Sequence, residues 1–187
     1  LNIKMIIMSA TLPKLDKLIE NKGDIFATLI KNRDDYFKNE LFKNRVKIDY
    51  SLLDEKINYE LLKETLYSEK ENYNKILFEF IKKQSAREFF ELLKSDEQLQ
   101  NFTIVELSGD DNKAFRQKII DKSKEKNRKI IIIATQVIEA GVDIDMDLGF
   151  KNISTLDGEE QFMGRINRSC KNSHLDPKVY FFYVDEA

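Results

Sequence analysis

The chain has little of what protein-only metal and redox sites require. Among 187 residues it holds one cysteine, Cys170, and one histidine, His174. That excludes a disulfide framework and leaves almost no room for a protein-only zinc site. A reducing, cytoplasmic compartment is the expected setting. No run approaches the ~20 apolar residues that span a bilayer, so no membrane partner is expected. Charge of one sign is lacking too, because 31 basic and 33 acidic residues leave a net charge of −2. Any polyanion must therefore be held by a local patch and not by bulk charge. There is no internal repeat. The opening Leu1-Asn2-Ile3-Lys4 has neither a start methionine nor a signal-peptide layout and reads as a fragment boundary. Most tellingly, no GxxxxGK[ST] phosphate loop is present.

What is there is ample for a core: 42% of residues are hydrophobic and 34% charged, as in a folded domain. Apolar runs suited to buried parallel strands occur at Ile3–Met8, Lys75–Ile81, Phe102–Leu107, Lys129–Ala134, Leu148–Ile153 and Lys178–Val184, and Val46–Leu53 resembles a further strand. Between them, helical spacing is expected near Lys14–Glu20 and over Tyr59–Asn74, Gln84–Lys94, Lys113–Lys126 and Asp157–Arg168. Strands alternating with helices of this length imply an α/β fold, a parallel sheet with helices on both faces. The Lys-, Asn- and Asp-rich stretch 21–44 reads as a linker between residues 1–20 and a domain over 45–187.

Ligands of open parallel sheets gather at the carboxyl ends of the strands. Ser85, Gly109-Asp110-Asp111 and Thr135-Gln136 follow such ends. The hydroxyl and amide of Thr135 could hold a backbone phosphate, although a threonine capping a turn is the commoner meaning. In Ala134-Thr135-Gln136-Val137-Ile138-Glu139-Ala140-Gly141-Val142-Asp143-Ile144-Asp145, Gly141 permits a backbone closed to other residues, and Asp143 could accept hydrogen bonds from sugar hydroxyls. Gln161, Arg165 and Arg168 stand at i, i+4 and i+7, hence on one face if the segment is helical. Two guanidiniums so placed can meet one anion, the arrangement that stabilises charge in phosphoryl transfer. A solvated basic face paired with Asp157, Glu159 or Glu160 is the alternative. Phe162, Met163 and Ile166 read as core.

Three segments then carry a family resemblance in the right order. Met8-Ser9-Ala10-Thr11-Leu12-Pro13 resembles motif III of superfamily 2 helicases, Ala134–Asp145 resembles motif V, and Gln161-Phe162-Met163-Gly164-Arg165-Ile166-Asn167-Arg168 resembles motif VI. The wording is most similar to the CRISPR-associated helicase-nuclease of type I systems. The resemblance implies a RecA-like fold, with residues 1–20 a remnant of a first RecA-like domain and 45–187 the second. It further implies ATP and Mg2+ held mainly by that first domain, with single-stranded DNA, a nuclease domain in the same or a partner chain, and a Cascade-type complex as partners.

By the same resemblance, Gln161, Arg165 and Arg168 complete ATP hydrolysis, the arginines acting as fingers. Gly141 and Asp143 contact the nucleotide, Ser85 and Thr135 the nucleic acid, and Ser9 and Thr11 couple the two. Arg116 resembles the arginine that supports the loop after Ser108. The family's arginine after the motif VI glutamine is Phe162 here. On the motifs alone an RNA helicase, a restriction-type translocase or a non-catalytic RecA-like module stays open.

Overall fold

The structure, a computed structural model, describes residues 6, 32, 35, 38–40, 44–54, 57–136 and 142–184. The expected strand at Ile3–Met8 (apart from Ile6), the helix at Lys14–Glu20, and Ser9, Thr11 and Gly141 lie outside the described residues. The chain divides into two units, Leu1–Lys43 and Asn44–Ala187, and the second carries the sheet.

Six strands, β1 (Lys47–Asp49), β2 (Lys75–Glu79), β3 (Thr103–Leu107), β4 (Ile130–Ala134), β5 (Leu148–Asn152) and β6 (Lys178–Phe182), form one sheet in the order β1-β6-β5-β2-β4-β3. Every pairing is parallel. Helices α1 (Tyr59–Glu69), α2 (Lys83–Lys94), α3 (Lys113–Lys124) and α4 (Leu156–Met163) join them. Parallel strands need such crossovers, and the crossovers cover both faces. Burial follows position in the sheet: β4 and β5 are buried at every residue, whereas edge strands β1 and β3 are largely half-buried or exposed.

Alternation along the strands separates two cores. On one face Ile76, Phe78, Ile131, Ile133, Phe150 and Phe182 pack with Leu62 and Leu66 of α1 and Phe89 and Leu93 of α2. On the other, Leu77, Ile130, Ile132 and Phe181 pack with Ile119 and Ile120 of α3 and with Phe162 and Ile166. Across the middle of the first face, register partners Phe78, Phe150 and Tyr180 stack, with ring centroids 4.3 and 5.2 Å apart. Such pairs add ~0.5–1.5 kcal/mol each beyond the area they bury.

Three elements end four or more residues earlier than the sequence predicts. The strand expected over Val46–Leu53 stops at Asp49, whose carboxylate accepts the Ser51 N–H at 2.9 Å and turns the chain into a 3-10 segment that buries Leu52. The helix expected to Asn74 stops at Glu69, where the Asn72 N–H donates to the Glu69 carbonyl and Tyr73 turns inward to donate its hydroxyl to the Asp176 carbonyl at 2.9 Å. The helix expected to Arg168 stops at Met163, with Gly164 as its cap. Beyond it the chain is captured by the strand side: the Met146 N–H donates to the Arg165 carbonyl at 2.9 Å and the Asn167 N–H to the Met146 carbonyl at 2.7 Å.

Gly149 explains how close this segment comes to the sheet. A Cβ there would lie 2.7 Å from Phe162 Cε1 and 3.0 Å from Ile166 Cδ1. Only a residue without a side chain lets α4 and its extension settle onto β5.

Candidate functional site

The turn between α4 and β6 is built from backbone pairings. The Met146–Ile166 bridge lies just before β5, so the backbone of 165–168 sits at the amino end of that strand. Asp145 fixes the next two residues, its carboxylate accepting the Arg168 N–H at 2.7 Å and the Ser169 N–H at 3.2 Å. Asn167 has a left-handed backbone (φ 45°), which asparagine tolerates better than most residues. It is fully buried, and its side chain donates to the Arg45 carbonyl at 2.9 Å and Ser173 Oγ at 3.2 Å while accepting the Asn172 N–H at 3.1 Å. Cys170 is also left-handed (φ 56°) and half-buried, and His174 is exposed on a short 3-10 segment.

Against this turn stands the segment Val142–Met146, with Val142, Ile144 and Met146 buried and Asp143 exposed. Asp143 accepts a hydrogen bond from Lys124 Nζ at 2.8 Å and pairs with Arg168 Nη1 at 3.6 Å. The Lys124 hydrogen bond and charge, then the charges of Arg168 and Arg165, hold its carboxyl below the usual range. Arg165 is half-buried. Burial and the neighbouring Arg168 lower its guanidinium from the ordinary value, against the opposing pull of Asp143 and Glu79. Arg45 is lowered by burial as well, and also senses Asp145 and Arg168. Four cations, Arg45, Lys124, Arg165 and Arg168, thus share two carboxylates, Asp143 and Asp145. A chain with a slight negative net charge concentrates positive charge here, and such a spot receives an anion.

The structure therefore brings Asp143, Arg165 and Arg168 together, though not by the expected route. The i, i+4, i+7 helical face is replaced by a helix carrying Gln161 and a turn carrying the arginines. Arg168 pairs with Asp143 and not with Asp157, Glu159 or Glu160.

Ser85 and Thr135 lie elsewhere, at the carboxyl ends of β2 and β4. The Thr135 amide, read as free from sequence, donates to the Leu107 carbonyl at 3.3 Å because the β3–β4 ladder continues one residue further. Ser85 is buried, so the exposed donors of that region are Lys83 and Arg87, which pair with Asp110 and Glu106 respectively. These four residues, with Ser108 and Asp111, line an open cleft of about 410 Å³. Arg116 supports the adjoining loop, donating to the Gly109 carbonyl at 2.7 Å.

Sequence reasoning missed Arg45, Asp145 and Asn167. Asp145 was traceable through the alternation of Val142, Ile144 and Met146 with Asp143 and Asp145. Arg45 carries no local signal, since its partners lie more than a hundred residues away, and the tie from Asn167 back to Arg45 is as distant. Also missed was a fully buried ion pair on the central strands, Lys151 Nζ to Glu79 Oε1 at 2.7 Å. Among the described residues no group of three or more His, Cys, Asp or Glu could hold a metal ion, and no helix is long and apolar enough to cross a membrane.

Comparison with known proteins bears on the fold and on part of the sequence. The family described as CRISPR-associated nuclease/helicase Cas3, C-terminal, matches residues 81–171, which include the cleft and the arginine turn. The CRISPR-associated nuclease/helicase Cas3 of Methanothermobacter thermautotrophicus is 42% identical over 65 residues, 34% of this chain and 8% of that protein. The AMPPNP complex of T. fusca Cas3 superposes with a TM-score of 0.62 at 14% identity, over 75% of this chain and 18% of the other. The C-terminal domain of the DEAD-box protein Dbp5 gives a TM-score of 0.58 at 19% identity, covering 77% and 79% of the two chains. This chain therefore spans under a tenth of its curated relative and under a fifth of T. fusca Cas3, but nearly a whole isolated C-terminal domain. It has a RecA-like fold, and over residues 81–171 it is similar to the C-terminal part of Cas3.

Proposed function

We propose that this chain is the C-terminal motor domain of an ATP-dependent DNA helicase of CRISPR antiviral defence, acting in the cytoplasm and closing an ATPase site whose phosphate grip lies on another RecA-like domain. The observation that carries the proposal is the convergence of Arg165 and Arg168 on Asp143 in a locally cationic turn. Residues 1–20 would end the first RecA-like domain and 21–44 would link the two. The division of the chain after Lys43 supports a second domain that begins near residue 45.

In this reading Arg165 and Arg168 set positive charge against the equatorial oxygens of a transferring phosphoryl group. Arg168 leaves Asp143 readily because their pair is long and exposed, and such pairs are weak. Gly141 and the ionised Asp143 contact the nucleotide, and Gln161 completes the hydrolytic set. Mg2+ would be held by the first domain and supply charge neutralisation from there. Thr135, with the exposed Lys83 and Arg87 on either side of the buried Ser85, would follow a single DNA strand along the carboxyl edge. Ser9 and Thr11 would couple domain closure to strand movement. A nuclease domain and a Cascade-type complex are the partners the family likeness implies.

The test is Arg165→Ala in the longer protein. Steady-state ATP hydrolysis should fall at least ~10²-fold in kcat, with much smaller loss of ATP affinity. An unchanged kcat removes Arg165 from the reaction. Stimulation by single-stranded DNA over RNA of equal length is expected in the same assay.

A further inference from the structure

We infer that Arg45 is a positioning residue for the arginine pair, a role resting on the ATPase reading above. Its guanidinium donates from Nη1 to the Ile166 carbonyl at 3.2 Å and from Nη2 to the Met163 carbonyl at 3.1 Å. These carbonyls bracket Arg165. The Met163 carbonyl closes α4 and also accepts the Ile166 N–H at 3.1 Å, the Ile166 carbonyl lies in the turn beyond, and the planar fork of an arginine reaches both at once. Lysine cannot reproduce that geometry.

The brace is reciprocal. Asn167, the residue between Ile166 and Arg168, returns a hydrogen bond from Nδ2 to the Arg45 carbonyl at 2.9 Å. Side chain and backbone of Arg45 therefore grip three points of the turn, at Met163, Ile166 and Asn167. Asn167 is held left-handed and Asp145 clamps the amides of Arg168 and Ser169 beyond it. A turn so over-determined has one conformation, and that conformation aims two mutually repelling guanidiniums at the same place. Arg45 also stands two residues after the boundary at Lys43, in the segment that leads into β1. A single residue, through its side chain and its backbone carbonyl, thus ties the segment before β1 to the arginine pair, independently of any contact made by the nucleotide.

The test uses the longer helicase and this chain in parallel. Arg45→Ala should lower kcat for ATP roughly tenfold or more while KM changes less than about threefold. Arg45→Lys, which keeps one carbonyl hydrogen bond, should fall between it and the parent. In this chain, amide hydrogen exchange of either variant should quicken at Arg168 and Ser169 and stay unchanged in β2 and β4. Parental kcat in both variants overturns the inference, as does exchange that quickens uniformly through the sheet, which marks a merely structural role. Should Arg45→Ala fail to fold, Arg45→Lys carries the same readouts. Arg165→Ala serves as the control: if it leaves kcat unchanged, the ATPase reading fails; if it lowers kcat while the Arg45 variants do not, only the positioning role fails.

Discussion

Individual charges in this domain are arranged for two different ends, and the difference lies in their burial. Glu69 is buried, accepting Lys178 Nζ at 2.7 Å and the Tyr180 hydroxyl. Burial pushes its carboxyl up, but the hydrogen bonds from Lys178 and Tyr180 outweigh it and leave the group below the ordinary value. Lys178 is driven up by the same partners against the downward pull of burial. A lowered carboxyl adds stability above the ordinary glutamate pKa, ~4.3, and loses it as pH falls through the folded value; a raised lysine keeps its share until pH passes ~10.4. Glu69→Gln should therefore cost about 1–3 kcal/mol in urea unfolding at neutral pH, with the gap closing below about pH 4. A gap independent of pH would show that packing and not charge holds the cluster. Asp143 and Arg168, by contrast, are exposed and loosely paired. Their substitution should scarcely move the unfolding midpoint, as fits residues kept free to exchange partners.

Elements place these residues by packing more than by propensity. The row Phe78, Phe150 and Tyr180 aligns β2, β5 and β6, and Phe89 of α2 lies 4.9 Å from Phe78. Phe150→Ala should cost about 3–5 kcal/mol in unfolding free energy. Gly149, its neighbour, governs the opposite face. Gly149→Ala should destabilise by about 1–3 kcal/mol, since Phe162 and Ile166 are both fully buried and must shift. Because Ile166 lies beside Arg165, that variant should also lose ATP turnover beyond its loss of stability, a split read by comparing melting with kcat. The strands and helices of the α/β pattern were legible in the sequence because apolar runs and helical spacing are local. Sheet order, the Phe78–Phe150 register and the early end of α4 were not, because residues far apart in sequence decide them. Gln161, Arg165 and Arg168 were singled out by motif as candidates, yet the motif hid that Met146 pulls the arginines off the helix. Arg45 was invisible for the same reason, its partners lying at the far end of the chain.

At the scale of the molecule, the sheet presents two working edges. Thr135, Lys83, Arg87 and the Ser108–Asp111 loop lie at the carboxyl ends, whereas the backbone of the arginine turn lies at the amino end of β5. In the proposed function the carboxyl edge would hold a strand and the turn would face a phosphate, so that closure around a nucleotide would move one relative to the other. In the same reading the arginine turn supplies charge, and the phosphate grip would come from another domain. The most direct measurement is ATP turnover by this chain alone, and by the same chain joined to a RecA-like domain bearing the phosphate loop. Negligible turnover alone, with turnover in the joined protein that falls at least ~10²-fold on Arg165→Ala, is the predicted result. Turnover by the isolated chain, or turnover in the joined protein that Arg165→Ala leaves intact, would contradict it.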